Sequence, residues 1–217
     1  MLPDSIDSEM VVLGHDGVLE GASRGCVVID MSSIAPAVSR KIGSACEEKG
    51  VDFLDAPVSG GEQGAIGGTL AVMVGGRGPV LDLHKDVLHA MGSSVIHCGS
   101  HGAGNTTKLA NQIIVAINLT AIGEALVFGA RSGVNPRKMV QALSGGLAGS
   151  RCLDQKADKI LSGDFGPGFK IDLHAKDLAL IHGVAQSLGV PIPTTAIVET
   201  TISPSTPASF ASTRNCS

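Results

Sequence analysis

Cys26-Val-Val-Ile-Asp30 and Val51-Asp-Phe-Leu-Asp-Ala-Pro-Val58 are short apolar runs, and between them Ile34 to Gly50 carries Pro36 early and Gly50 at its end. Proline in a first helical turn and glycine just past a last one mark the middle stretch as a helix, so the segment reads strand, helix, strand. A parallel pair needs such a crossover, and a fully apolar strand predicts a sheet covered on both faces. Working outward, Thr69 to Val74 predicts a further strand ahead of Gly75-Gly76, Pro79 to Met91 a helix, and Ser94 to His97 an extended segment. Residues 1–100 are therefore expected to form an α/β domain on a parallel sheet.

After about residue 100 the apolar spacing becomes helical and no further convincing strand occurs. Asn105 to Ala130 predicts one helix about 39 Å long at 1.5 Å per residue. From Ile113 to Ala130 it is apolar almost all the way round, which raises a membrane span, but Asn118 and Glu124 fall inside it. A carboxylate at mid-bilayer costs roughly 2.5 kcal/mol or more. A helix buried between subunits, or at the centre of a helical domain, accounts for the same pattern, so no membrane partner is expected and a homo-oligomer joined through this helix is. Asn135-Pro136 starts another helix that Gly145-Gly146 ends, and Gly149 to Leu161 and Ala175 to Leu188 add two more, giving an all-helical domain over residues 101–199. From Thr200 the chain turns Ser/Thr/Pro-rich and loses periodicity, which predicts a disordered tail over 200–217.

Composition excludes several function classes. Among 217 residues, 16 Lys+Arg stand against 20 Asp+Glu, with 2% aromatic residues and no basic block, which argues against a nucleic-acid surface. With 43% hydrophobic and 17% charged residues, the chain is not of the disordered kind. Cys26, Cys46, Cys98, Cys152 and Cys216 are odd in number and never spaced as Cys-x-x-Cys, so they read as reduced thiols of a cytoplasmic protein. The N-terminal residues carry neither a positive nor an apolar secretory region. His97, Cys98 and His101 invite a metal reading, but Gly99 and Ser100 break any helix between them and no second ligand pair follows, so none is expected.

Three stretches carry candidate chemistry. Asp55-Ala-Pro-Val-Ser-Gly-Gly61 ends a strand and opens a glycine-rich loop to Gly68; Ser59 and the backbone N–H groups of Gly60 and Gly61 suit a carboxylate or phosphate, or form merely a long turn. Gly102-Ala-Gly-Asn-Thr-Thr-Lys-Leu-Ala-Asn111 opens the long helix and sets Lys108 and Asn111 on one face. A desolvated lysine there is a proton donor with Asn holding the reacting oxygen, unless the pair is simply a solvated helix end. The same stretch imitates a dinucleotide fingerprint, yet position 107 is Thr rather than Gly and Glu124 lies inside the same helix instead of ending a second strand. Lys176-Asp177 reads as a helix start, where Asp is favourable and Lys is not, a weak pointer to a ligand for Lys176.

Asp55 to Gly61, Gly102 to Lys108 with Asn111, Lys176-Asp177-Leu178 and Met1-Leu-Pro3, in this order and spacing, resemble the β-hydroxyacid dehydrogenases over about residues 1–198. That resemblance implies a Rossmann-like domain followed by a helical one, with NAD or NADP as cofactor. Lys108 would be the catalytic acid and Asn111 would orient the reacting oxygen. Ser59, Gly60 and Gly61 would hold a substrate carboxylate, Leu2, Pro3 and Ser33 would line the cofactor, and Lys176 would close over both from the helical domain. The wording of Gly61 to Ile66, Gly145 to Ser150 and Gly166 to His174 implies tartronate semialdehyde as the substrate, with 3-hydroxyisobutyrate chemistry as second choice. Family members begin with a strand and a Gly-x-Gly-x-x-Gly turn that has no counterpart here, so the sheet is expected to be incomplete and the chain truncated at both ends. An inactive binding or oligomerisation module is the rival expectation, and the choice between NAD and NADP stays open.

Overall fold

The structure is a computed structural model that describes residues 1–166 and 168–202. In chain order the elements are α1 (Ser5–Leu13), α2 (Val18–Gly21), β1 (Val27–Asp30), α3 (Pro36–Glu48), β2 (Asp52–Asp55), β3 (Val58–Ser59), α4 (Gly61–Ile66), β4 (Ala71–Gly76), α5 (Gly78–His89), β5 (Ser94–Gly99), α6 (Ala103–Arg131), α7 (Pro136–Ser144), α8 (Arg151–Ser162), α9 (Ile171–Leu188) and α10 (Pro193–Ile202).

The strand-helix-strand reading around Asp30 holds, since β1 and β2 pair in parallel with Val27 opposite Asp52 and Asp30 opposite Asp55. β4 and β5 are also parallel. The sheet as a whole is mixed rather than parallel, because β4 runs antiparallel to both β2 and β3. The connection from β3 to β4, through the six-residue α4, is too short for a full crossover and turns the chain back instead. The glycine-rich loop expected over Gly60 to Gly68 thus contains a helix.

Both sheet faces are covered, as the apolar strands require. Successive β2 side chains point to opposite sides: Leu54 packs with Val72, Val74, Leu81 and Leu88, while Phe53 packs with Ile42 and Cys46 of α3 and Val12 of α1. Complete burial of such a side chain contributes about 1.5–3 kcal/mol. A second core joins Ile122 and Leu126 of α6 to Leu153 and Ala157 of α8, flanked by Met139 and Leu143 of α7. α7 starts where Asn135 accepts the N–H of Lys138 (3.2 Å), and α8 where Ser150 accepts that of Leu153 (3.1 Å).

The described residues divide into two compact units, 1–113 with 168–184, and 114–166 with 185–202. The division falls past the expected boundary at 100 because the first three turns of α6 and most of α9 belong with the sheet. By length and composition alone α6 could cross a bilayer; Leu109, Ala116, Ile122 and Leu126 along it are buried in the fold. α9 begins at Ile171, so Lys176 and Asp177 lie in its second turn rather than at its start. The tail expected from Thr200 is helical in α10 through Ile202, and 203–217 lie outside the described residues. Cys26, Cys46, Cys98 and Cys152 are free thiols, and burial pushes the Cys46 thiol up to about 11.

Candidate active site

The site is built from the junction of β2 with α6. Asp55, fully buried at the end of β2, accepts the N–H of Gly102 (2.8 Å) and of Asn105 (2.9 Å), satisfying two of the donors that a helix start leaves orphaned. Burial pushes its carboxyl above the usual range, and those two N–H groups pull it back. Asn105, also fully buried, accepts the N–H of Ile34 (3.0 Å) and donates to Ser39 Oγ (3.0 Å), tying α6 to the approach and first turn of α3. A Cβ on Gly104 would run into the carbonyl oxygens of Asp55 and Met73. The Gly-x-Gly of this stretch therefore serves close packing, and the helix start is closed to a further anion because a carboxylate already sits on it.

One turn beyond Asn105, Lys108 is only 8% exposed. Its Nζ donates to Gln112 Oε1 (3.2 Å), and Asn111 Nδ2 donates to the same oxygen (3.0 Å). Gln112 Nε2 in turn donates to Asp177 Oδ2 (2.6 Å) and lies 3.4 Å from His174 Nδ1, both on α9. Burial lowers the proton affinity of Lys108; the Asp177 carboxylate opposes this and the Lys176 ammonium adds to it. Burial likewise lowers His174, with Asp177 opposing and Lys108 reinforcing. Lys108 is thus a buried amine hydrogen-bonded to a neutral amide, the environment of a proton donor rather than of a structural ion pair.

Lys176 and Ser33 also come together. Lys176 Nζ donates to the carbonyl oxygen of Ser33 (2.5 Å) and lies 2.9 Å from Asp177 Oδ1. Next to Ser33, Ser32 Oγ accepts the N–H of Leu2 (2.7 Å), which holds the Leu2-Pro3 segment to the residues after β1. Lys176 was expected to act from the helical domain; it belongs to the unit that contains the sheet. Ser59 ends β3, with Gly60 (φ +140°) and Gly61 (φ +64°) following in conformations that suit glycine. Along the chain Ser59 follows Asp55 by four residues and Lys108 follows Asn105 by three. Gln112 and His174 are not among the residues the sequence singles out for chemistry, and Asp177 is there only a favourable carboxylate near a helix start. The signal available was Gln112 itself, one turn beyond Lys108 on the same helix face.

Residues 1–99 match the family model described as the NAD binding domain of 6-phosphogluconate dehydrogenase, and residues 102–211 the one described as the NAD-binding of NADP-dependent 3-hydroxyisobutyrate dehydrogenase. The chain is 43% identical over 196 residues to 2-hydroxy-3-oxopropionate reductase of Escherichia coli (strain K12), covering 90% of this chain and 67% of that protein. The chain belongs to the β-hydroxyacid dehydrogenase family.

Other β-hydroxyacid dehydrogenase relatives agree. The 2-(hydroxymethyl)glutarate dehydrogenase of Eubacterium barkeri is 39% identical over 197 residues, 90% of this chain and 65% of that one. A structure of Mycobacterium tuberculosis 3-hydroxyisobutyrate dehydrogenase with L-serine superposes with a TM-score of 0.84 at 31% identity, covering 93% of this chain and 71% of that one. The chain spans about two thirds of the length of the curated relatives it matches. The cofactor of this β-hydroxyacid dehydrogenase is NAD or NADP. Ser33 and Lys176 are joined at a backbone carbonyl beside the Leu2 segment; the start of α6, filled by Asp55, does not fit the pyrophosphate.

Proposed function

We propose that this site reduces 2-hydroxy-3-oxopropionate (tartronate semialdehyde) to glycerate with NADH or NADPH. The observation that carries the reading is the buried Lys108 amine, lowered in proton affinity and facing an amide instead of a carboxylate. When bound, the dihydronicotinamide supplies the hydride that adds to the aldehyde carbon. Lys108 Nζ gives a proton to the aldehyde oxygen and stabilises the negative charge that develops there. Asn111, held by Gln112, keeps a second amide hydrogen for orienting that oxygen. The Ser59 hydroxyl and the N–H groups of Gly60 and Gly61 hold the carboxylate. Leu2, Pro3 and Ser33 line the cofactor, and Lys176, on the Ser33 carbonyl, closes over cofactor and substrate.

The aldehyde is supported by the 43% identity to the Escherichia coli reductase. The likeness to 3-hydroxyisobutyrate dehydrogenase structures supports a second reading, oxidation of 3-hydroxyisobutyrate with Lys108 as the base. Ile114, Val127 and Phe128 are exposed along α6 and support a homo-oligomer joined through that helix. The test uses the 217-residue chain with NADH or NADPH and 2-hydroxy-3-oxopropionate. Loss of the reduced-nicotinamide absorbance in step with glycerate formation is expected. No turnover, with self-association retained in light scattering, would leave a binding or oligomerisation module in its place.

A further inference from the structure

Gln112 is 4% exposed, and its amide uses both ends: the oxygen takes one N–H from Lys108 and one from Asn111, while the nitrogen gives one to Asp177 and reaches His174 Nδ1. The amide cannot be turned round. An ammonium only donates and a carboxylate only accepts, so the oxygen must face Lys108 and the nitrogen must face Asp177. That orientation has a consequence for His174, which is 6% exposed. A hydrogen on its Nδ1 would point at the N–H of Gln112; only the neutral ring with its hydrogen on Nε2 gives Gln112 an acceptor. Phe169 meets the same ring edge to face, at 5.9 Å between centroids.

We propose that Gln112 is the positioning residue for Lys108, coupling the carboxylate and imidazole of α9 to the ammonium of α6 through a single amide whose orientation also fixes the tautomer of His174. The inference deepens the reading of Lys108 as the acid. Without Gln112 the ammonium loses a hydrogen-bond acceptor in a buried place, which disfavours its charged form further. Asp177 would then lose a donor, and the Asn111 amide its anchor.

The experiment needs no turnover, so a chain without reductase activity leaves it decidable. The full 217-residue chain is prepared with 13C-labelled lysine and 15N-labelled histidine, with no cofactor added. At neutral pH the 15N spectrum of His174 is expected to show a bare Nδ1 and a protonated Nε2. In Gln112→Met, which keeps the length and removes the amide, the Lys108 Cε titration midpoint is expected to fall by about one pH unit, the effect of losing one hydrogen bond to a charged group. A hydrogen on Nδ1 of His174 overturns the proposal, and so does a Lys108 midpoint unchanged or raised in a folded Gln112→Met chain. Should that variant not fold, the tautomer in the unsubstituted chain decides alone.

Discussion

Gly104→Ala sets two effects of opposite sign against each other within one helix. Alanine is the better helix former by about 1 kcal/mol. The added methyl, however, would fall on the backbone oxygens of Asp55 and Met73 and stand 2.9 Å from Asp55 Oδ2, a buried side-chain oxygen that the N–H of Asn105 holds in place. Overpacking of this kind costs about 1–3 kcal/mol and more where the neighbours are backbone. Because the clash is at three oxygen atoms the upper part of that range applies, and a net loss of about 2 kcal/mol remains after the propensity gain. At this chain length that lowers the thermal midpoint by about 4–8 °C, read from the loss of helical circular dichroism. Gly123→Ala is the control in the same helix: nothing lies within 4 Å of its added methyl, so the full gain of about 1 kcal/mol is expected. If Gly104→Ala matches Gly123→Ala in raising the midpoint, the junction is loose, the start of α6 is open, and the account of how Lys108 is placed is wrong.

Asn105→Ala leaves the N–H of Ile34 and the hydroxyl of Ser39 without their partner in a fully buried place, at about 1–3 kcal/mol each, measured as a lower denaturation midpoint in urea. Lys108→Met removes a buried amine whose charged form is penalised, so stability at neutral pH is expected to equal or exceed that of the unsubstituted chain by a few degrees while any nicotinamide-linked turnover disappears; a large loss of stability would make Lys108 structural. His174 binds its proton less readily in the fold than in the unfolded chain, so its contribution is present in full above its ordinary value of 6.5 and is lost as the pH falls below it. Thermal midpoints taken across that window are expected to fall less steeply in His174→Asn; parallel curves would show that the imidazole, set between Asp177 and Lys108, takes up its proton in the fold as readily as in the unfolded chain.

What was legible in the sequence follows from how local each cause is. Asn135-Pro136 marks the start of α7 because capping is decided within three residues, and the cap bond to Lys138 forms where the residue types place it. The apolar strands around Val28 and Phe53 give the covered sheet, since burial on both faces shows in the strand's own composition. Elements α1 and α4 were illegible: Ile6 and Met10 of α1 are exposed rather than buried, and α4 is a short glycine-containing stretch that reads as loop. The direction of β4 depends on what the connection before it can span, not on the strand's residues. At the site, Lys108 and Asn111 stand out because a polar pair near the start of an apolar helix is poorly explained by packing. Gln112, His174 and Asp177 do not, because what makes them matter is contact between residues more than sixty positions apart. Asp177 is also explained in the sequence as a first-turn carboxylate, whereas α9 begins at Ile171 and sets it in the second turn.

One ligand must be served by both the lysine of α6 and the glycine pair after β3. Glycerate, the product of the proposed reduction, is titrated into the 217-residue chain while the backbone amides of Gly60 and Gly61 and the Cε signal of Lys108 are followed together by NMR. The account predicts saturable shifts at all three with one shared dissociation constant. Shifts at the glycines that leave Lys108 untouched, or no saturable response at either, would contradict it.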